Sequence, residues 1–170
     1  MTTRRLELEL LGSRDGVEWK AYRFKYKPDL VSERAFERGK DQLGTLGSGN
    51  HFLEMQVVDK IFEPETAAAF GLREGQVTVM IHSGSRGFGY QVCDDRLKSL
   101  TRWAATKRIV LPDRQLVYAP LGSPEAEQYL AGMAAAANYA YANRQILTHL
   151  TRQVFMDPLG LSPSQLRMRL

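Results

Sequence analysis

Residues 123–155, with the sequence SPEAEQYLAGMAAAANYAYANRQILTHLTRQVF, predict one long helix. Ser123 is a favourable N-cap, Pro124 suits the first helical position, and the glutamates that follow complement the positive helix end. Apolar side chains recur at helical spacing and predict an apolar face: Leu130, Met133, Ala137, Ala140, Tyr141, Leu147, Leu150 and Val154. The helix is long for a chain of 170 residues, so we expect this face to be partly uncovered and to drive self-association.

Outward from this helix, the chain alternates between short strands and short helices. Period-two patterns and β-branched runs predict strands at residues 51–59, 76–82 and 115–119, and a β-hairpin across 5–26 within residues 1–26. Capping and periodicity predict helices at 31–42, 64–71 and 91–107, and a helix start at Ser162 and Pro163. We therefore predict one α+β domain over residues 1–170, with a mixed sheet of short strands, residues 76–82 as a central strand, and a long C-terminal helix.

Composition excludes several classes of protein. Apolar residues make up 44% and charged residues 25% of the chain, which is ordinary for a globular protein and excludes disorder throughout. Neither a membrane-spanning apolar run nor a secretory signal is evident. The single cysteine, Cys93, excludes an internal disulfide framework and predicts a cytoplasmic location. The net charge of +4 is spread evenly along the chain, so no basic tail points to nucleic acid.

Two of the three histidines occupy unusual places in the pattern. His51 follows a glycine-rich turn and begins a predicted strand, while His82 ends another strand just before a second glycine-rich loop. Side chains at such junctions can be held rigidly while they face a cleft, and imidazole is the commonest metal ligand. The spacing alone leaves two interpretations open: a shared metal site, or two structural histidines at strand ends. His149 lies on the long helix and has no such context.

The two glycine-rich loops are candidates for anion binding. Gly44–Gly49 matches neither a P-loop nor a dinucleotide fingerprint, so it is either a phosphate cradle or a plain tight turn. The second loop places Arg86 among serines and glycines, and a guanidinium group binds phosphate oxygens well. A serine nucleophile is disfavoured there because no G-x-S-x-G elbow is present. Cys93 is interpreted as a core residue. Arg144 is interpreted as a solvated or salt-bridged residue.

Three strings, in order, resemble signatures of the RtcB family of RNA-splicing ligases. They are QLGTLGSGNHFLE at residues 42–54, IHSGSRG at 81–87 and AAANYAYANR at 135–144, the last preceded by the Ser123 helix start. The resemblance covers about residues 31–170, and residues 1–26 lie outside it. It implies an incomplete RtcB-like fold, in which this chain corresponds to the central portion of the enzyme.

The resemblance implies a GTP- and Mn²⁺-dependent reaction. In the family, a histidine takes up guanylate from GTP and passes it to an RNA 3′-phosphate, obtained by opening a 2′,3′-cyclic phosphate; a 5′-hydroxyl then displaces GMP. By motif position, His51 and His82 resemble two manganese ligands, and Arg86 resembles a residue that holds an RNA phosphate. The segment Asn50, His51, Phe52, Leu53 and Glu54 resembles a GTP-binding segment. The implied partners are RNA, such as tRNA halves, and the remainder of the ligase.

The chain also departs from the family pattern. An Asp and Cys metal-binding motif expected upstream has no equivalent in residues 1–40, and the histidine that accepts guanylate has no match in the chain. We therefore expect the chain by itself to be inactive and to need flanking sequence or a partner chain. Two alternatives remain: a truncated paralogue without catalysis that binds RNA, phosphate or a partner chain, and a metal-dependent phosphoesterase that uses the same two histidines.

Overall fold

The computed structural model describes residues 11–12, 20–21, 31–166 and 168. The first two elements are β1 (Leu11–Gly12) and β2 (Lys20–Ala21), which pair antiparallel. This pair falls inside the predicted hairpin across 5–26, and the rest of that hairpin lies outside the described residues. The remaining elements are α1 (Glu33–Gly39), β3 (Phe52–Val57), α2 (Pro64–Ala69), β4 (Val77–His82), α3 (Arg86–Thr106), a 3₁₀ turn (Arg114–Leu116), α4 (Pro124–Leu159) and α5 (Pro163–Leu166).

Two helix starts form at the residues that the sequence predicts. The Ser32 hydroxyl accepts a hydrogen bond from the Ala35 amide (3.1 Å) at the start of α1. The Ser123 hydroxyl accepts one from the Ala126 amide (3.2 Å), with Pro124 in the first turn of α4. Each serine satisfies an amide that the helix itself leaves without a partner. α4 runs slightly past its predicted end and stops at Gly160, whose left-handed φ of +60° favours glycine.

The predicted mixed sheet is not found among the described residues, where β3 and β4 form a two-stranded antiparallel sheet. Its register runs from Phe52 opposite His82 to Val57 opposite Val77. Among the described residues the predicted central strand at 76–82 is not central, because β4 pairs there with β3 alone and continues almost directly into α3. The predicted strand at 115–119 is also wrong, since the Asp113 carboxylate accepts from the Gln115 amide (2.8 Å) and begins a 3₁₀ turn.

The small core lies where α1 and α4 pack against α3. Ala35, Phe88, Val92 and Ala135 are buried together, and Phe88 stacks on Tyr139 with 5.0 Å between ring centroids. α3 begins at Arg86, five residues before the predicted start, because packing outweighs the low helix propensity of the glycines in its first turns. One of them, Gly87, allows the close approach of the end of α1, since a Cβ there would lie 3.3 Å from the Arg38 carbonyl oxygen and 2.8 Å from Gln42 Oε1.

α4 buries small and polar residues together with Leu147, and leaves several of its larger apolar side chains exposed. Ala131, Ala135 and Ala142 are buried, whereas Met133, Tyr141 and Val154 are 51–69% exposed. The exposure agrees with the expectation that the apolar face is partly uncovered. Cys93 is exposed on α3, so its interpretation as a core residue is wrong. No helix among the described residues combines the length and apolar character needed to cross a bilayer.

Candidate functional site

The open end of the β3–β4 sheet brings His51 and His82 together. His82 is the last residue of β4 and lies opposite Phe52, which directly follows His51 in the chain. The two imidazole centroids are 6.2 Å apart, and the rings are tilted by 45°. The residues are 31 positions apart in the sequence, and antiparallel pairing makes them neighbours. The pairing of β3 with β4 therefore brings the two histidines close enough to contact one ligand.

The hydrogen bond made by His51 determines which of its ring nitrogens can act as a ligand. Nδ1 lies 2.6 Å from the Ser48 carbonyl oxygen. A carbonyl oxygen only accepts, so Nδ1 carries the proton and Nε2 keeps its lone pair. Such a bond to the far nitrogen is the usual arrangement around a histidine that binds a metal. The His51 side chain is thus oriented as a ligand would be.

The donor set fits one divalent cation in part. A centroid separation of 6.2 Å is compatible with one ion between the rings, because imidazole–metal bonds are about 2 Å long. Among residues 31–166, no cluster of three or more His, Cys, Asp or Glu side chains surrounds the pair. Two imidazoles alone bind weakly, so water or oxygen atoms of a ligand would have to complete the coordination.

Residues 44–50, named here the glycine loop, lie against both His51 and Arg86. Gly44, Gly47 and Gly49 all have positive φ, and that of Gly47 is +118°. A Cβ on Gly47 would lie 2.5 Å from Arg86 Nη1 and 2.8 Å from His51 Cγ. Glycine is therefore required at position 47 both for the backbone angle and for the close approach of two side chains. The imidazole and the guanidinium group meet at this one residue.

Residues 83–85, named here the serine loop, lead from His82 into α3 and place Arg86 at the start of that helix. Arg86 is half-buried, and its Nε donates to the Thr45 hydroxyl (3.0 Å). That hydroxyl in turn donates to the Gln42 carbonyl (2.6 Å). The bond uses Nε–H and leaves both terminal amino groups able to donate to an anion. The predicted phosphate residue is thus held beside the two histidines.

The segment 50–54 is divided by the alternation of β3. Phe52 and Glu54 lie on the same face as His82 and Met80, while Leu53 lies on the opposite face with Ile81. The Phe52 ring meets His82 edge-on at 5.3 Å. The five residues predicted to contact GTP therefore do not present one continuous surface, and Phe52 and Glu54 are the two that share a face with His82.

Asn143 is a site residue whose role the sequence does not reveal. It is completely buried in α4 and hydrogen-bonds to both the glycine loop and the serine loop. Arg144 was predicted to be solvated or salt-bridged; instead its Nη1 donates to the Ser83 carbonyl (3.3 Å) and its guanidinium carbon lies 4.7 Å from the centroid of the Tyr141 ring. The only signal in the sequence is a polar pair, Asn143–Arg144, within an alanine-rich helix.

Comparison with known proteins identifies the same family that the three sequence motifs resemble. A family model described as "tRNA-splicing ligase RtcB" matches residues 9–170. The similarity therefore begins earlier than residue 31, where the motifs alone place its start. The proteins named tRNA-splicing ligase RtcB from Archaeoglobus fulgidus and Pyrococcus abyssi are 56% and 55% identical to this chain, over 85% and 83% of its length. RNA-splicing ligase RtcB of Mycobacterium tuberculosis is 54% identical over 76% of the chain.

These relatives are much longer than the chain. The matched region makes up 30% of the Archaeoglobus and Mycobacterium proteins and 15% of the Pyrococcus protein. All three motifs quoted above lie within the region that the family model matches. The similarity is therefore close in sequence but restricted to one part of each relative.

Proposed function

Because the chain belongs to the RtcB family of tRNA-splicing ligases, we propose that it forms part of the active site of an RNA ligase. The enzyme joins an RNA end carrying a 2′,3′-cyclic phosphate or 3′-phosphate to a 5′-hydroxyl end, with GTP and Mn²⁺. The observation that carries the proposal is the position of His51, which lies 6.2 Å from His82 between ring centroids and meets Arg86 at Gly47. Two imidazoles and a guanidinium suit a site where a divalent cation and a phosphate lie side by side.

Each residue of the site has a distinct role in this proposal. His51, through Nε2, and His82 hold Mn²⁺, and Arg86 binds the RNA phosphate with its terminal amino groups. When bound, the cation neutralises phosphate charge and orients the reacting groups. Thr45 fixes the orientation of Arg86 by accepting its Nε–H. The positive charge of Arg86 then lies beside the histidines before any RNA arrives, which lowers the cost of organising the site.

In the proposal the segment 50–54 binds GTP, and the role of each residue depends on the face of the sheet on which it lies. Phe52 and Glu54 share a face with His82, so their side chains contact the nucleotide nearest the metal. Asn50 is exposed in the glycine loop and reaches the same region. Leu53 points to the opposite face of the sheet and supports the segment rather than touching the nucleotide.

The remaining catalytic groups come from outside this chain in the proposal. The guanylate-accepting histidine and further metal ligands belong to the remainder of the ligase or to a partner chain. The exposed apolar face of α4 is where such structure packs. We propose a cytoplasmic enzyme that acts on broken RNA such as tRNA halves, and a chain that is inactive alone.

The chain contains its own control for a metal-binding test. It has three histidines, and the third, His149, is exposed on α4. In a histidine-labelled sample, substoichiometric Mn²⁺ is expected to broaden the ring resonances of His51 and His82 and to leave those of His149 sharp. His82→Ala should abolish broadening at His51, whereas His149→Ala should not. Equal broadening of all three histidines would contradict the metal role.

Ligation needs a test in a complete enzyme. Replacing the matching region of the Archaeoglobus protein with this chain creates a full-length chimaera, since the two are 56% identical there. We expect the chimaera to join RNA ends and to lose that activity with Arg86→Ala, while the exposed control Arg102→Ala retains it. A folded chimaera that binds RNA without joining it would favour the paralogue without catalysis. Hydrolysis of a phosphate ester by the chain alone, lost on chelation, would favour the phosphoesterase.

A further inference from the structure

We infer that Asn143 is a positioning residue that holds the glycine loop and the serine loop in one arrangement. The functional part of the inference rests on the proposed roles of His51, His82 and Arg86. The hydrogen bonds from which it is argued do not depend on those roles. Asn143 has no exposed surface. It lies on α4, so a rigid helix carries the group that joins the two loops.

The Asn143 side chain hydrogen-bonds to both loops at once. Its Oδ1 accepts from the amides of Gly44 (2.7 Å) and Thr45 (3.1 Å) in the glycine loop. Its Nδ2 donates to the Thr45 carbonyl (3.1 Å), and in the serine loop to the Ser83 hydroxyl (3.0 Å) and the Gly84 carbonyl (3.2 Å). An amide side chain offers two donor hydrogens and two acceptor lone pairs, and these five contacts engage all of them.

The residues that Asn143 hydrogen-bonds either adjoin the proposed functional residues in the chain or contact their side chains. His82 directly precedes Ser83, whose hydroxyl donates to the Leu46 carbonyl (2.6 Å) and so joins the two loops a second time. Thr45, held by Asn143 through both its amide and its carbonyl, accepts from Arg86 Nε. Loss of Asn143 therefore releases the support of Arg86 and loosens the two loops that flank the histidines.

A second buried polar residue on the same helix shows what a purely structural role looks like. The Thr151 hydroxyl is buried and donates to the Leu147 carbonyl within α4. It contacts neither loop through that bond. Thr151→Val is therefore a matched control that disturbs a buried polar group of α4 without touching the site.

The test compares Asn143→Asp with Thr151→Val in the full chain. Aspartate keeps the shape of asparagine and its acceptor oxygen but loses the Nδ2 donors, so the bridge to the serine loop is cut. Hydrogen exchange of Arg86 Nε–H is measured without metal, and the Mn²⁺ concentration that half-broadens His51 and His82 is measured separately. Ser83→Ala is a milder variant that removes the serine hydroxyl alone, in case the buried aspartate prevents folding.

We expect Asn143→Asp to speed exchange of Arg86 Nε–H at least tenfold and to raise the Mn²⁺ midpoint at least tenfold, with a smaller shift of both for Ser83→Ala. Thr151→Val should leave both values as in the unmodified chain. Unchanged values in Asn143→Asp, or equal losses in Thr151→Val, would overturn the inference. If Mn²⁺ broadens neither histidine in the unmodified chain, the proposed metal role fails, and the metal-free exchange of Arg86 still decides whether Asn143 positions the loops.

Discussion

The two sides of α4 differ sharply in how they use their residues. The inner side buries Asn143 completely and joins two loops through it, whereas the outer side leaves Met133 and Tyr141 more than half exposed. Hydrogen bonds are directional and fix one arrangement of atoms, while apolar contact is not directional and only favours burial. The comparison indicates that contacts within this chain hold the site residues in place, and that the outer side leaves apolar surface on which another surface can pack.

A groove lies between α3, the 3₁₀ turn and the start of α4. Tyr90, Leu121 and Tyr129 line it, together with Cys93. Leu121 is 88% exposed and Tyr90 68%. A contiguous exposed apolar surface of this kind usually marks an interface. The polar loops and the apolar groove are thus two separate surfaces of one small domain.

Removing the asparagine at the inner side should have the largest effect on stability. Asn143→Ala leaves the half-buried Gly44 and Thr45 amides without their acceptor, and such losses cost about 3 kcal/mol in total. Asn138→Ala, on the same helix but half-buried, is the control and should change the free energy of unfolding by less than about 1 kcal/mol. Urea unfolding monitored by circular dichroism measures both. Equal losses of unfolding free energy in the two variants would show that Asn143 stabilises the fold no more than Asn138 does.

The next largest effect is expected from a methyl group in the glycine loop. Gly47→Ala meets Arg86 Nη1 and His51 Cγ and must adopt a φ of +118°, so we expect a loss of about 2 kcal/mol and a raised Mn²⁺ midpoint. Gly49→Ala also has a positive φ but meets nothing within 4 Å. It should cost about 1 kcal/mol and leave the Mn²⁺ midpoint unchanged. A shifted midpoint in Gly49→Ala would remove the distinction between the two glycines.

Alkaline pH should weaken the inner packing through Tyr139. Burial raises the pKa of the Tyr139 phenol above its usual value, and the phenol donates to the Gly39 carbonyl (2.6 Å). The folded chain therefore holds the phenol proton more tightly than the unfolded chain. The protonated phenol therefore contributes fully to the free energy of unfolding below the ordinary tyrosine pKa, about 10. This contribution is lost as the pH rises through and above that value. Free energies of unfolding from pH 8 to 11 should fall less steeply for Tyr139→Phe, and the exposed control Tyr141→Phe should follow the unmodified chain.

Changes at exposed apolar residues of α4 should have the smallest effect on stability and a clear effect on association. Met133→Gln and Val154→Gln replace exposed apolar side chains, so each should change stability by no more than about 0.5 kcal/mol. Sedimentation velocity is expected to show dimers or larger species for the unmodified chain and a shift toward monomer for the double variant. A stable monomer from the outset, with no binding of a dye for apolar surface, would contradict the interface interpretation.

Local signals predicted much of the secondary structure. The caps at Ser32 and Ser123 and the positions of β3 and β4 follow from side chains within a few residues of each element. The start of α3 did not follow, because Gly87 and Gly89 lower helix propensity and only packing against α1 and α4 reverses that preference. The strand predicted at 115–119 failed for a similar reason, since a single capping carboxylate at Asp113 outweighs β propensity there.

For the candidate site, the sequence by itself determined which side chains are present and where each lies along its strand or loop. It placed His51 and His82 at strand ends and Arg86 in a glycine-rich loop. These positions follow from the residue types and from the pattern of their immediate neighbours, which need no structure to be recognised. Only the tertiary structure decided that His82 lies beside His51, that His51 and Arg86 meet at Gly47, and that Asn143 holds the adjoining loops. The Asn143 bonds to Gly44 and Thr45 span 99 and 98 positions of sequence. Propensity and spacing act over a few residues, whereas such contacts exist only after α4 has packed against the rest of the domain.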